Sequence, residues 1–269
     1  MQRPLLRVFG ERNTGSRAVI SMLEAAGYAC SGQAAGFAAP REERALQVRI
    51  EGAFEGPWKH VYLDALRDVR ALKRGPLGQW KHAAPRYDRS FREARAAVLF
   101  LTRNPYSWAS ALHRNPYHLR GPMQASLVGF LSTPWVTLGR EQVPPVLTGP
   151  AELWRLKLEA ALAFEEVARG DGVPVGWLSF EAFVADPVGA LSTAVARMGR
   201  PVPDLAPVPN TKPDRRTPEE ITAYYAGERW RHDLDPDAVW RINDQIPGWL
   251  MEMFGYERLD PDTFVRAAA

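Results

Sequence analysis

The sequence contains a single cysteine, Cys30, in 269 residues. One cysteine excludes an internal disulfide and fits a reducing compartment. There is no apolar run of about 18 residues or more, so no membrane-spanning helix is expected. The chain enters an apolar stretch almost at once, at Leu5, which leaves no room for a secretory signal sequence. These absences predict a cytoplasmic protein.

Metal-ligand spacing and strong charge are also missing. The sequence holds no cluster of metal ligands typical of a zinc site, so no metal is expected. The five histidines are His60, His82, His113, His118 and His232. The net charge is only +3, without a basic stripe or tail, which argues against a nucleic-acid partner. The basic residues stand at turns beside strands instead, which suits a small anionic ligand.

The length and composition are those of an ordinary globular protein. Apolar residues make up 46% of the chain and charged residues 24%. A chain of 269 residues can form one large α/β domain, so we expect residues 1–269 to be a single domain. The alternation of strand and helix patterns predicts a sheet with helices against it.

The first candidate site follows a predicted strand over residues 5–9. The loop Gly10–Arg17 comes next, and then a helix with apolar residues at helical spacing that ends at Gly27. Backbone N–H groups and the helix dipole of such a loop can hold a phosphate. The two glycines match the first half of the P-loop signature, but Ser16-Arg17 stands where the signature has lysine followed by serine or threonine. A phosphate-binding loop is favoured over a plain turn, and a magnesium-dependent triphosphatase is not.

A second candidate site follows the apolar run of residues 96–101, which predicts a strand buried on both faces. Arg103 comes directly after it, and Pro105 suits the first turn of a helix. No acidic residue is present at the end of this strand to help hold Mg²⁺. A cation at the carboxyl end of a buried strand can bind an anion. From these residues alone, a solvated arginine is an equal alternative.

The remaining elements are predicted more coarsely, and residues 31–60 give no assignment. A helix over residues 61–74 would bury Leu63, Leu66, Val69 and Leu72, and residues 79–85 predict a short strand and turn. Further helices are expected over 151–169, 218–231 and 236–254, with a strand over 173–180. The long aromatic segment 114–150 predicts a lid or an acceptor-binding insertion, with a passive surface excursion as the alternative.

Lys81-His82 lies between the two anion-site candidates in sequence. An imidazole, with an ordinary pKa of about 6.5, can take a proton at neutral pH. A lone histidine is more often structural, and Lys59-His60 is a competing Lys-His pair.

Taken together, these residues resemble the PAPS-dependent sulfotransferases, which use 3′-phosphoadenosine 5′-phosphosulfate as donor. The resemblance runs from Leu5 to about Asp186 and is strongest over Gly10–Arg17 and Leu99–His118. It implies a three-layer P-loop-like α/β fold, with a central, mainly parallel sheet flanked by helices. It also implies transfer of a sulfuryl group to a hydroxyl or amine of a small-molecule, glycopeptide or carbohydrate acceptor.

The resemblance assigns the first loop to the 5′-phosphosulfate. The residues that would wrap this group are Arg12, Asn13, Thr14, Gly15 and Ser16. The family usually places a lysine or arginine two residues before the glycine, where this chain has Asn13, so Arg12 or Arg17 would supply the cation.

The 3′-phosphate would bind Arg103. The companion serine of the family usually follows eight residues later, at the position of Ala111, so Ser110 is one residue short. A late basic loop with Lys212, Arg215 and Arg216 is a further candidate. Phe180 stands in place of a tyrosine near the adenine.

In the family, a Lys-x-His-x-Pro stretch supplies the base, and the corresponding residues here are Lys81 and His82. His82 would then be the general base, while Arg12 and Lys81 would stabilise the leaving oxygen. A P-loop phosphoryl transferase and a non-catalytic nucleotide-binding module are the alternative functions. The oligomeric state is left open.

Overall fold

The computed structural model describes residues 3–30, 41–202, 204–207 and 217–264. Lys212, Arg215 and Arg216, the predicted basic loop, lie outside the described residues. The described strands are β1 (Leu6–Gly10), β2 (Ala97–Thr102), β3 (Trp135–Val136), β4 (Val146–Leu147) and β5 (Val175–Ser179). The described α-helices are α1 (Ser16–Ala25), α2 (Arg41–Ala53), α3 (Gly56–Lys73), α4 (Ser90–Glu93), α5 (Pro105–Arg114), α6 (Leu127–Ser132), α7 (Pro150–Gly170), α8 (Phe180–Ala185), α9 (Pro187–Arg197), α10 (Pro218–Ala226), α11 (Pro236–Gln245) and α12 (Gly248–Met253).

A parallel sheet with the strand order β1-β2-β5 forms the centre of the fold. Val8 is in register with Leu99, and Leu99 with Gly176. All residues of β2 are buried, which confirms the predicted strand with two buried faces. Because the three strands are parallel, their carboxyl ends meet at one edge of the sheet.

Helices cover both faces of this sheet, since alternate residues of β2 point to opposite sides. Leu99 and Leu101 pack in one core with α1 and α9. Val98 and Phe100 pack in another with α7 and with Phe91 of α4. The predicted α/β fold with a parallel sheet between two helical layers is therefore confirmed.

A third core, mainly helical, lies beside the sheet and includes part of segment 114–150. Phe130, Trp135 and Leu147 from this segment pack with α5, α7 and α11. The segment also contains a short 3₁₀ helix, Gly139–Glu141. It is therefore anchored in the body of the protein by several buried side chains.

Helix α3 forms where a helix was predicted but begins five residues earlier, at Gly56, and two of its four predicted inward residues are wrong. Leu63 is buried, whereas Val69 and Leu72 are 51% and 61% exposed. The polar residues Asp64 and Asp68 face the protein instead, because both bind Arg140 from the 3₁₀ helix at 2.8 and 2.7 Å. None of the described helices has the length and apolarity needed to cross a membrane.

The short strand predicted over residues 79–85 does not form. The Gln79 side chain bonds the carbonyls of Pro76 and Arg86 at 2.6 and 2.7 Å, and this closes the chain into a turn. One backbone bond remains alongside β1, from Gly10 N to the Lys81 carbonyl at 2.9 Å. That single bond brings Lys81 and His82 to the carboxyl end of β1.

Candidate active site

The loop after β1 has the backbone shape of an anion-binding turn. A Cβ on Gly10 would lie 2.7 Å from Leu101 Cβ, so β1 and β2 can approach this closely only with glycine. Asn13 and Gly15 have φ values of 63° and 78°, both left-handed. Such residues turn successive N–H groups toward one concave surface. Thr14 closes the turn, because its hydroxyl donates to the Glu11 carbonyl at 2.6 Å.

Helix α1 begins at Ser16 with its first-turn N–H groups uncapped. Gly15 provides no side-chain cap, and the first turn holds no acidic residue. The positive end of the helix dipole therefore adds to the loop N–H groups. Arg17, in this first turn, is exposed. The structure thus brings Asn13, Thr14, Gly15 and Ser16 together in a loop suited to a phosphate or sulfate group.

Arg12 is part of a buried cluster of ions behind this loop. Its side chain is only 3% exposed, and Nη1 lies 2.6 Å from Glu141 and 2.8 Å from Glu11. Lys157 pairs with the same two carboxylates. Burial alone would raise the pKa of Glu141, but Lys157 and Arg12 hold it well below its usual range. Nε and Nη2 of Arg12 have no hydrogen-bond partner among the described residues.

His82 is attached directly to the first loop. Its Nδ1 lies 2.5 Å from the Gly10 carbonyl oxygen, which can only accept, so Nδ1 carries the proton. Nε2 is then left as the proton-accepting nitrogen. Burial, Lys81 and Arg12 lower the pKa of His82 well below 6.5, so the ring is neutral at pH 7. His60, by contrast, is exposed on α3.

Lys81 and Arg17 are the cations on the more open side of the loop. Burial, together with the nearby charge of Arg17, lowers the pKa of Lys81 to about 8. An anion bound between these two side chains would reverse this effect, because opposite charge favours the protonated amine.

Arg103 is a buried cation with neutral hydrogen-bond partners. It is 2% exposed and donates to Ser107 Oγ, the Ser107 carbonyl, the Asn13 carbonyl and the Tyr225 hydroxyl at 2.9, 3.0, 2.6 and 2.9 Å. Its guanidinium lies 4.2 Å from the Phe180 ring centroid. Burial lowers the pKa of Arg103. The charge of Glu181 acts in the opposite direction, but Arg103 makes no ion pair among the described residues. A buried charge without an ion pair is costly, which favours binding of an anion here.

Two solved structures similar to this chain are sulfotransferases. One is a sulfotransferase from Alicyclobacillus acidocaldarius, at 17% identity and a TM-score of 0.37, with 91% of this chain and 96% of that chain covered. The other is mouse sulfotransferase SULT7A1 complexed with PAP, at 13% identity and a TM-score of 0.34, with 96% and 81% covered. No protein-family model and no curated protein matches the chain. Both overlays are loose, so the residues of the site carry the functional proposal.

Phe180 joins the first loop to Arg103. Its ring would be 3.4 Å from a Cβ on Gly15, and the Tyr225 ring meets it edge-on at 4.9 Å. The structure therefore brings together three parts that the sulfotransferase resemblance assigns to one nucleotide: the loop, Arg103 and the aromatic ring after β5.

Ser110 stands apart from these contacts. Its hydroxyl is buried and has no hydrogen-bond partner among the described residues. Ser107, which the sequence reasoning missed, contacts Arg103 instead. Its position four residues after Arg103, in the first turn of α5, is a usable local signal.

Other site residues carry no local sequence signal. Trp108 and Trp154 donate from Nε1 to the carbonyls of Arg12 and Arg103 at 2.9 and 3.0 Å. Tyr225 is 122 residues from Arg103, and Glu141 belongs to the segment predicted as a lid or insertion. Within the described ranges, no group of three or more His, Cys, Asp or Glu side chains is placed to hold a metal ion.

Proposed function

We propose that this protein is a PAPS-dependent sulfotransferase. The observation that carries the proposal is the bond between His82 Nδ1 and the Gly10 carbonyl. It holds a neutral imidazole, with Nε2 as acceptor, beside a loop built for an anion. Sulfuryl transfer needs this combination, because the general base must lie next to the site that binds the transferred sulfuryl group.

The donor would bind along the carboxyl edge of the sheet. The loop of residues 13–16, with Lys81 and Arg17, would hold the 5′-phosphosulfate. Arg103 would bind the 3′-phosphate, and Phe180 would pack near the adenine. Ser110 and the loop with Lys212, Arg215 and Arg216 are further proposed contacts of the 3′-phosphate.

In the proposed reaction, the acceptor oxygen or nitrogen attacks the sulfur in line with the leaving group. The new bond to sulfur forms as the bond between sulfur and the 5′-phosphate oxygen breaks. His82 Nε2 takes the acceptor proton, and 3′-phosphoadenosine 5′-phosphate leaves with the bonding electron pair. Lys81 stabilises the charge that grows on the leaving oxygen, and Arg12 adds its field from the buried cluster. The proposal assigns no metal to the reaction.

The acceptor side would be formed by segment 114–150, whose Glu141 reaches the ion cluster behind the loop. A hydroxyl or amine of a small-molecule, glycopeptide or carbohydrate acceptor is compatible with the base.

The test is conversion of PAPS to 3′-phosphoadenosine 5′-phosphate, followed without added metal and with 4-nitrophenol and 4-nitrophenyl β-D-glucopyranoside as acceptors. We expect conversion in the absence of Mg²⁺ and its loss in His82→Ala. Transfer of phosphate from ATP–Mg²⁺ to either acceptor, without reaction of PAPS, would favour a phosphoryl transferase. Binding of the nucleotide without any transfer would favour a non-catalytic module.

A further inference from the structure

A second histidine, His118, belongs to segment 114–150 and lies near the proposed base. It follows α5, and its φ of 65° is left-handed, which is uncommon for a residue other than glycine. Backbone bonds from Tyr117 N to Asn115 O and from Leu119 N to Pro116 O, at 2.8 and 3.1 Å, hold this turn. Such backbone outliers concentrate at functional sites.

His118 and His82 contact the same indole ring. The His82 ring meets Trp80 edge-on with centroids 4.9 Å apart and an interplanar angle of 87°. The His118 ring meets it at 5.5 Å and 84°. Segment 114–150 therefore carries an imidazole into the neighbourhood of the proposed base.

The Asp64 carboxylate lies on the Nδ1 side of the His118 ring. Its Oδ1 lies 4.0 Å from His118 Nδ1 and 2.8 Å from Arg140, and Arg120 lies 3.7 Å from Oδ2. A carboxylate on the Nδ1 side favours the proton on that nitrogen, so Nε2 is left as a hydrogen-bond acceptor. The side chain is 28% exposed, and a ligand can reach it.

The two histidines thus share one arrangement. In each, an oxygen lies on the Nδ1 side, the Gly10 carbonyl at 2.5 Å from His82 and the Asp64 carboxylate at 4.0 Å from His118, which favours Nε2 as the acceptor. Burial, with Arg12 and Arg140, lowers the pKa of His118 to about 4, so this ring is also neutral at pH 7. A pair of neutral acceptor nitrogens suits a ligand with two hydroxyl groups.

We propose that His118 is a second residue of the acceptor site and that the acceptor is a polyhydroxyl compound of the carbohydrate class. His82 takes the proton of the reacting hydroxyl, while His118 Nε2 accepts a hydrogen bond from another hydroxyl of the same molecule. This inference rests on the proposed function and names the substrate class of its acceptor side. His118 fixes the position of the acceptor and takes no proton in the reaction.

The test compares two acceptors in the PAPS reaction: 4-nitrophenyl β-D-glucopyranoside, with several hydroxyls, and 4-nitrophenol, with one. We expect His118→Ala to lower kcat/KM for the glucoside about tenfold, mainly through KM, as for loss of one neutral hydrogen bond. The kcat/KM and KM for 4-nitrophenol and the Kd of 3′-phosphoadenosine 5′-phosphate should not change. His118→Asn should recover part of the loss, because asparagine tolerates left-handed backbone and keeps an acceptor oxygen. The exposed His232 is the control, and His232→Ala should match the wild type for both acceptors.

Equal losses for both acceptors, or a weaker Kd for the nucleotide, would make His118 a structural residue and overturn the inference. Reaction of 4-nitrophenol alone, or of neither acceptor although the nucleotide binds, would overturn the carbohydrate class and leave the donor proposal standing. Failure of the nucleotide to bind would instead overturn the proposed function.

Discussion

Arg103 donates a hydrogen bond from Nη1 to the carbonyl of Asn13, with the two atoms 2.6 Å apart. The residues are 90 positions apart in sequence and meet because parallel β1 and β2 end at the same edge of the sheet. The bond links the proposed 3′-phosphate arginine to the proposed 5′-phosphosulfate loop. An anion that binds either group would therefore help to order the other.

Replacement of His82 by alanine should lower kcat about 10²–10⁴-fold, the usual contribution of a general base. Because its pKa is lowered well below 6.5, the wild-type rate should fall with decreasing pH only below pH 6.5. Steady-state kinetics between pH 4.5 and 8, with calorimetry of nucleotide binding, checks both points. His60→Ala should behave as the wild type. A loss of nucleotide affinity as large as the loss of turnover would contradict the assignment of His82.

The Lys81 pKa of about 8 predicts a pH-dependent donor affinity. As the pH rises from 7 to 9.5, free Lys81 loses its proton, and the attraction for the nucleotide weakens. The affinity for 3′-phosphoadenosine 5′-phosphate, measured by calorimetry, should therefore fall over this range. Lys81→Arg keeps its charge and should flatten the profile. The same decline in both proteins would show that another group is responsible.

Gly15→Ala and Gly172→Ala form a matched pair, because both glycines have left-handed φ values, 78° and 71°. Each substitution should cost about 1–2 kcal/mol of stability from backbone strain. Only the Cβ on Gly15 would meet a neighbour, at 3.4 Å from Phe180, whereas that on Gly172 enters open space. We expect weaker nucleotide binding in Gly15→Ala alone, with stability followed by urea unfolding. Similar affinities in the two variants would contradict a role of this loop in binding the donor.

Glu141→Gln should destabilise the protein by about 3–5 kcal/mol, because the buried cluster then has two cations, Arg12 and Lys157, and only one carboxylate, that of Glu11. Addition of Lys157→Met should recover part of this cost, since the Glu11–Arg12 pair is then balanced. Urea unfolding of the single and double variants measures the coupling. Glu228→Gln, which removes an exposed ion pair with Arg231, is the control and should cost no more than about 1 kcal/mol. Strictly additive effects at Glu141 and Lys157 would show that the cluster does not act as a unit.

The sheet was predictable because its strands are short, buried apolar runs between turn residues. The pattern of residues 96–101 gives β2, and Asn104-Pro105 gives the start of α5, where Asn104 accepts from Tyr106 N and Ser107 N at 3.0 and 3.2 Å. Helix α3 shows the limit of periodicity. Its apolar positions Val69 and Leu72 are exposed, because Asp64 and Asp68 bind an arginine that is distant in sequence.

The parts of the candidate site could be predicted only where one short stretch carries the proposed chemistry. The first loop, Lys81-His82 and Arg103 are such stretches, and the structure places them at one edge of the sheet. The pairing of Arg12 with Glu141 depends on a contact between residues 129 positions apart, which no local pattern encodes. The hydrogen bond between Tyr225 and Arg103 and the ring contact between His118 and Trp80 also join residues that are distant in sequence.

The most direct test of the proposed donor is calorimetric titration with 3′-phosphoadenosine 5′-phosphate, compared with ATP–Mg²⁺. We predict that the bisphosphate binds more tightly than ATP–Mg²⁺, and that Arg103→Ala weakens it about 10–100-fold through loss of a charged hydrogen bond. Arg103→Lys keeps the buried charge, so its affinity for the bisphosphate should lie between those of the wild type and Arg103→Ala. Circular dichroism should confirm that both variants are folded. Tighter binding of ATP–Mg²⁺, or unchanged affinity for the bisphosphate in folded Arg103→Ala, would contradict the account.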